Sequence, residues 1–191
     1  MGLVTKGEAR AAAMRARTNS KKVTKVLLEE AASTTETSFD IFLSHSKMDE
    51  DLVLGAKQIL EEKSYTVYVD WIDDPQLDRS AVSKATAEHL RWRMEQCEVM
   101  FYLHSKNASF SKWCPWELGY FDGLSINAPR TFVFPLVNRG EGFDGQEYLK
   151  LYPTVDIDNL GKVTEVKEDV WGAFDSKTEP YRKISRILEA I

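Results

Sequence analysis

From residue 39 almost to the end of the chain, short apolar runs alternate with stretches in which apolar residues recur every three or four positions. The runs at 39–43, 66–71, 99–103 and 131–137 are strand-sized and rich in β-branched and aromatic residues, so they predict strands. A briefer run at 154–157 predicts a fifth. Leu52, Gly55, Ala56, Ile59 and Leu60 keep helical spacing to about residue 63. Ser46 lies three residues before Asp49, a capping-box spacing, and Asp49, Glu50 and Asp51 suit the positive end of that helix. Ser80 can cap a second helix, carrying Val82, Ala85, His89, Leu90 and Arg93 to about residue 96. A short helix is expected over 113–123, with Pro115 in its first turn, where a missing N–H costs nothing. A last one is expected over 178–191, with Tyr181, Ile184, Ile187, Leu188 and Ile191 on one face. This alternation predicts an α/β fold of the flavodoxin-like kind. It has a parallel sheet of about five strands, helices on both faces and right-handed crossovers.

Composition narrows the class. Hydrophobic residues make up 43% and charged residues 29%, which supports a packed core rather than disorder. No apolar run approaches the ~20 residues that cross a bilayer, so no membrane partner is expected and the chain reads as cytoplasmic. Two cysteines, Cys97 and Cys114, make neither a disulfide scaffold nor a zinc cage. A net charge of −5 argues against nucleic acid as a partner. That charge is uneven, because residues 1–30 carry seven basic and three acidic groups. Residues 1–37 therefore read as a basic helical extension and linker, with a solvated or partner-binding helix, ahead of a domain over 38–191.

Ligands of open parallel sheets bind at the carboxyl ends of the strands, near the switch in strand order. That rule selects Ser44, His45 and Ser46 after the first strand, Asp70 and Trp71 after the second, and His104 and Ser105 after the third. The segment 111–117 follows, with Trp113 and Glu117 four apart and so on one helix face. An aromatic plate beside a carboxylate suits a ribonucleotide. The residues alone leave a second reading open, in which Trp116 and Tyr120 are core and Glu117 is an acid favoured by the helix dipole in a solvent-facing first turn.

Other signals carry less. Residues 140–145 match the dinucleotide fingerprint G-x-G-x-x-G, but no helix opens after them and Glu141 and Asp144 would repel a pyrophosphate. Cys114 has no histidine brought to it by sequence and reads as an ordinary thiol. A phosphorylation receiver would need acids where Ser44, His45, His104 and Ser105 stand.

The runs FDIFLSHSKMDED, TVYVDW and SKWCPWELGYFDG, in this order and spacing, closely resemble a bacterial TIR (Toll/interleukin-1 receptor/resistance) domain over about residues 38–191. The resemblance makes residues 72–79 the BB loop. It matches Trp113 and Glu117 to the family's Trp-x-x-x-Glu pattern, in which the glutamate is required for cleaving NAD. By the same resemblance Ser44, His45, Ser46, Asp70 and Trp71 line the nucleotide pocket, Ser105 lines the opposite wall near Glu117, and Arg79, with Lys84, approaches phosphates. No metal and no cofactor are implied, since NAD is the substrate.

The chemistry agrees with that implication. Nicotinamide in NAD is a cationic leaving group, so breaking its glycosidic bond needs no proton donor, and one carboxylate can stabilise the oxocarbenium-like transition state. The expected products are nicotinamide with ADP-ribose, a cyclised form or an adduct acting as a signal, in antiphage defence. The resemblance also implies assembly with other TIR copies through the BB loop and a separate effector or sensor protein. The alternative it leaves is a non-catalytic module that only binds other TIR domains.

Overall fold

The computed structural model describes residues 2–30, 38–74, 77, 82–124, 129–160 and 173–174. The helix expected over 178–191 and the cap expected at Ser80 lie outside them. In chain order the elements are β1 (Val4–Thr5), α1 (Lys6–Glu30), β2 (Phe39–Ser44), α2 (Glu50–Glu62), β3 (Val67–Tyr68), α3 (Asp70–Asp73), α4 (Lys84–Glu95), β4 (Cys97–His104), α5 (Trp113–Gly123), β5 (Thr131–Val137), β6 (Thr154–Val155) and β7 (Ala173–Phe174). The strand order is β3-β2-β4-β5-β6-β7, parallel except for the β6–β7 pair, and β1 also pairs parallel with β5. Five parallel strands, β3-β2-β4-β5-β6, thus form the expected sheet. Their order is that of flavodoxin-like folds, so the switch point falls between β2 and β4.

Alternation along the strands builds two cores. Ile41, Leu43, Val99, Phe101, Leu103, Phe132 and Phe134 face α2, where Leu52, Val53, Ala56 and Leu60 meet them. Phe42, Met100, Tyr102 and Val133 face the other way, onto Leu90 and Met94 of α4 and Cys114, Leu118 and Phe121 of α5. All but Asp40, Glu98 and His104 of the residues in β2, β4 and β5 are buried, because the sheet is covered on both faces.

The basic N-terminal helix, read as solvated or partner-binding, is present, and its first half lays one face along α2 while the other stays exposed. Thr5 and Glu8 form a reciprocal capping box: the Thr5 hydroxyl accepts from the Glu8 N–H at 3.2 Å, and the Glu8 carboxylate from the Thr5 N–H at 2.8 Å. Those bonds hold the Glu8 carboxyl below its ordinary range. Ala9, Ala12 and Ala13 are buried along α2. Contact is so close that a Cβ on Gly55 would stand 1.8 Å from the Ala9 carbonyl oxygen. Small residues on both helices permit this approach.

Two local expectations shift. The run at 66–71 stops pairing after Tyr68, because the Asp73 side chain accepts from the Val69 N–H at 2.6 Å and turns Asp70 and Trp71 into a short helix. The helix before β4 begins at Lys84, where the Ser83 hydroxyl accepts from the Thr86 N–H at 3.0 Å.

Candidate functional site

The carboxyl ends of β2 and β4 open side by side at the switch point. β2 delivers Ser44 and then His45 and Ser46, all buried. α5 delivers Trp113 and Glu117 from the other side. Its start is fixed by Ser111, whose hydroxyl accepts from the Trp113 N–H at 3.3 Å and the Cys114 N–H at 3.2 Å. Glu117 sits one turn further in. It has no exposed surface, and the Ser44 hydroxyl donates to its Oε2 at 2.6 Å. The solvent-facing placement that the sequence allowed for Glu117 is therefore wrong. The helix turns it towards β2, into the gap that Ser44 leaves between two apolar cores.

His45 is held by both ring nitrogens. Its Nδ1 lies 2.8 Å from the Leu43 carbonyl, which can only accept, so Nδ1 carries a proton. The Trp71 indole N–H donates to Nε2 at 3.1 Å, and Asp70 Oδ1 lies 3.2 Å from that same nitrogen. One nitrogen cannot accept from Trp71 and donate to Asp70 together. The short helix that ends the β3 run is what sets both residues against His45.

A cavity of about 390 Å³ adjoins this cluster, within the ~300–1,000 Å³ usual for ligand sites. His45, Ser46 and Trp113 form its inner wall, while Met48, Val82 and Phe110 stand at its mouth. Glu117 does not line it. Trp113, a turn earlier on α5, and His45, next to Ser44, stand where the cavity meets the carboxylate's neighbours.

The remaining expected site residues separate. Ser105 is buried, but it does not line the cavity and is not bonded to Glu117. Its hydroxyl donates to Asp49 and accepts from the Asn107 and Ala108 N–H groups, each at 3.1 Å. Asp49, expected to serve the α2 dipole, is instead buried and accepts from the Asn107 amide at 2.7 Å as well. Lys84 is exposed and lies 3.6 Å from Glu88. Arg79 lies outside the described residues. Trp116 and Tyr120 stack at 5.9 Å on the outer side of α5 under Arg91, so neither is fully core. Cys114 is buried.

A cluster the sequence reading missed ties down the start of the loop after α3. Buried Asp74 accepts from Arg93 Nε at 2.6 Å and Nη2 at 2.8 Å, from the Tyr68 hydroxyl at 2.8 Å and from His89 Nε2 at 2.8 Å. Burial alone would raise its pKa. The Arg93 guanidinium, His89 and Tyr68 outweigh that and hold the carboxyl well below its usual range. The signal available in the sequence was His89 and Arg93 four apart on one helix face. Among the described residues no group of three histidine, cysteine or acidic side chains could hold a metal ion. Nor is any helix among them long and apolar enough to cross a membrane.

Comparison with known proteins places this geometry. The TIR domain family model matches residues 41–165. A Bacillus cereus (strain MSX-D12) protein named "Probable 3' cyclic ADP-D-ribose synthase ThsB'" is 45% identical over 135 residues, covering 70% of this chain and 67% of that protein. A Cytobacillus dafuensis protein named "Putative cyclic ADP-D-ribose synthase TIR2" is 31% identical over 105 residues, covering 54% of this chain and 27% of that protein.

Proposed function

The chain belongs to the TIR domain family, and from that membership we propose that it cleaves NAD, with Glu117 as the catalytic carboxylate. The observation that carries this reading is the buried Ser44–Glu117 pair at the switch point, beside a cavity walled by Trp113 and His45. The C1′–N bond breaks and its electron pair leaves with nicotinamide, which becomes neutral. Positive charge develops on the ribose at C1′ and O4′, where a carboxylate fixed in advance stabilises it at little reorganisation cost. Ser44 fixes the carboxylate, and Trp113 supplies an apolar plate for the departing ring.

We assign a cyclised ADP-ribose as the product class. The two relatives are named for such products, and a carboxylate with no exposed surface favours capture of C1′ by a hydroxyl of the same molecule over capture by water. The oxygen of that hydroxyl bonds to C1′, its proton is released to water, and the ring closes. No cofactor takes part in this scheme.

The wider setting is also a proposal. A cytoplasmic signalling role in antiphage defence, acting through a separate effector protein, fits a diffusible cyclic nucleotide product. Assembly with further copies through the loop at 72–79 belongs to the same proposal: Glu117 is not among the residues lining the cavity, so an opening step is needed to reach it. The division at residue 38 rests on the family match starting at residue 41. The test is purified protein incubated with NAD and its products separated by chromatography, with Glu117→Gln alongside. Nicotinamide release that the variant lacks supports the reading, and no release at any protein concentration or equal release by both overturns it.

A further inference from the structure

The mouth of the cavity differs in charge from the rest of the molecule. The chain carries a net −5, yet no acid is among the described residues that wall the cavity, and Lys47 and Lys112 are. Some basic side chains elsewhere are matched, Lys57 with Glu61, Arg15 with Glu62 and Arg93 with Asp74. Lys47 and Lys112 have no such partner among the described residues. Asp49, two positions after Lys47, is turned inward onto Ser105 and Asn107.

The same mouth gathers exposed apolar surface. Met48, Val82 and Phe110 are 75%, 69% and 81% exposed. Single exposed apolar residues need no explanation, but three around one opening mark a contact surface. Phe110 is also held in place. It ends a tight turn, Ala108–Phe110, in which the Ala108 N–H donates to Ser105 and the Phe110 N–H to the carbonyl of Asn107, whose own N–H and amide are tied to Ser105 and Asp49. Buried polar bonds thus keep a phenyl ring out in solvent beside two unmatched ammonium groups. A flat ring stacks on any base, and ammonium groups meet phosphates as point charges.

We propose that Phe110, Lys47 and Lys112 form the subsite for the ADP half of the dinucleotide, the ring stacking on adenine and the lysines meeting the diphosphate. The nicotinamide riboside then points inward to Trp113. This rests on the NAD reading of the cavity and adds to it a selectivity. The site takes a dinucleotide in preference to nicotinamide mononucleotide, which lacks the adenylate.

The experiment is calorimetric titration of the full chain with ADP-ribose, at two salt concentrations, together with kcat and KM for NAD and for nicotinamide mononucleotide. Phe110→Ala should weaken ADP-ribose about tenfold, and Phe110→Trp should restore it. Lys47→Ala with Lys112→Ala should weaken it by about tenfold or more and flatten its salt dependence. KM for NAD should rise in parallel while kcat holds, and turnover of the mononucleotide should be unmoved by Phe110→Ala. ADP-ribose affinity within twofold of the parent in every variant, or no binding at millimolar ligand, overturns the subsite even where Glu117-dependent cleavage of NAD is observed. Binding that depends on these residues without any NAD cleavage upholds the subsite and removes the enzymatic reading instead.

Discussion

Ser44 and Glu117 stand 73 residues apart in the chain and meet through a hydrogen bond of 2.6 Å where neither touches solvent. The pair joins the first core strand to the helix after the third, so the switch point of the sheet is closed by a bond between a hydroxyl and a carboxylate. Glu117→Gln keeps the shape and an acceptor for Ser44 while removing the charge. It should leave the thermal midpoint nearly unchanged and lower NAD turnover about 10²-fold or more. Differential scanning and product chromatography on one preparation check both halves.

Ser44→Ala should behave differently. It strips a donor from a buried carboxylate, at a stability cost of about 1–3 kcal/mol, and loosens the carboxylate's position. Turnover should fall by less than in Glu117→Gln, with KM little altered. Urea unfolding and steady-state kinetics separate this outcome from simple misfolding.

The contact between α1 and α2 is tested at Gly55. A methyl there meets Ala9 backbone rather than a side chain that can swing aside, so Gly55→Ala must push the helices apart. The expected cost is about 1–3 kcal/mol despite the higher helix propensity of alanine. Faster amide exchange along the first half of α1 would accompany it; an unchanged urea midpoint would show that the helices separate at no cost.

What could be read in advance follows from what each residue needs. The runs at 39–43, 99–103 and 131–137 became β2, β4 and β5 because strands buried on both faces are continuously apolar, a pattern visible without partners. Trp113 and Glu117 were legible as a pair because four residues is one helical turn. Asp49 was misplaced because its partners Ser105 and Asn107 lie 56 and 58 residues away, and local spacing assigned it to the nearest helix. The burial of α1 was hidden for a related reason. Its contact stripe is alanine, which carries little hydrophobic signal.

Asp74 should make the fold acid-sensitive at one point. Its carboxyl is held below its ordinary range, so the stability it contributes is complete above roughly pH 3.9 and is lost only as pH falls through its lower folded value. Asp74→Asn leaves Arg93 partly buried without its counter-charge and should cost about 3 kcal/mol at pH 7. Its penalty should hold down to about pH 4 and shrink only below that, as followed by urea midpoints from pH 7 to about pH 2.

His104 acts in the same direction, at higher pH. Burial, with the charge of Lys6 adding to it, lowers its pKa, and its ring packs edge-on against Phe143 at 4.9 Å. Below about pH 6.5 the unfolded chain takes up a proton that the folded one resists, so stability declines from there down to the folded value. His104→Gln should flatten that part of the pH–stability curve. Identical slopes in parent and variant would refute the assignment.

The pairing of Val4 with Leu136 and Thr5 with Val137 also has a consequence in time. Residues 4–5 are synthesised well before the strand that receives them, since β5 lies far along the chain from β1. Until then α1 has α2 to lie against, but β1 has no edge to join. The closing of so long a loop is among the slow contacts of a fold, and it becomes worthwhile only once β4 and β5 have paired. The earlier-made segment is therefore among the last to settle, and its docking registers that the sheet behind the cavity has already been built.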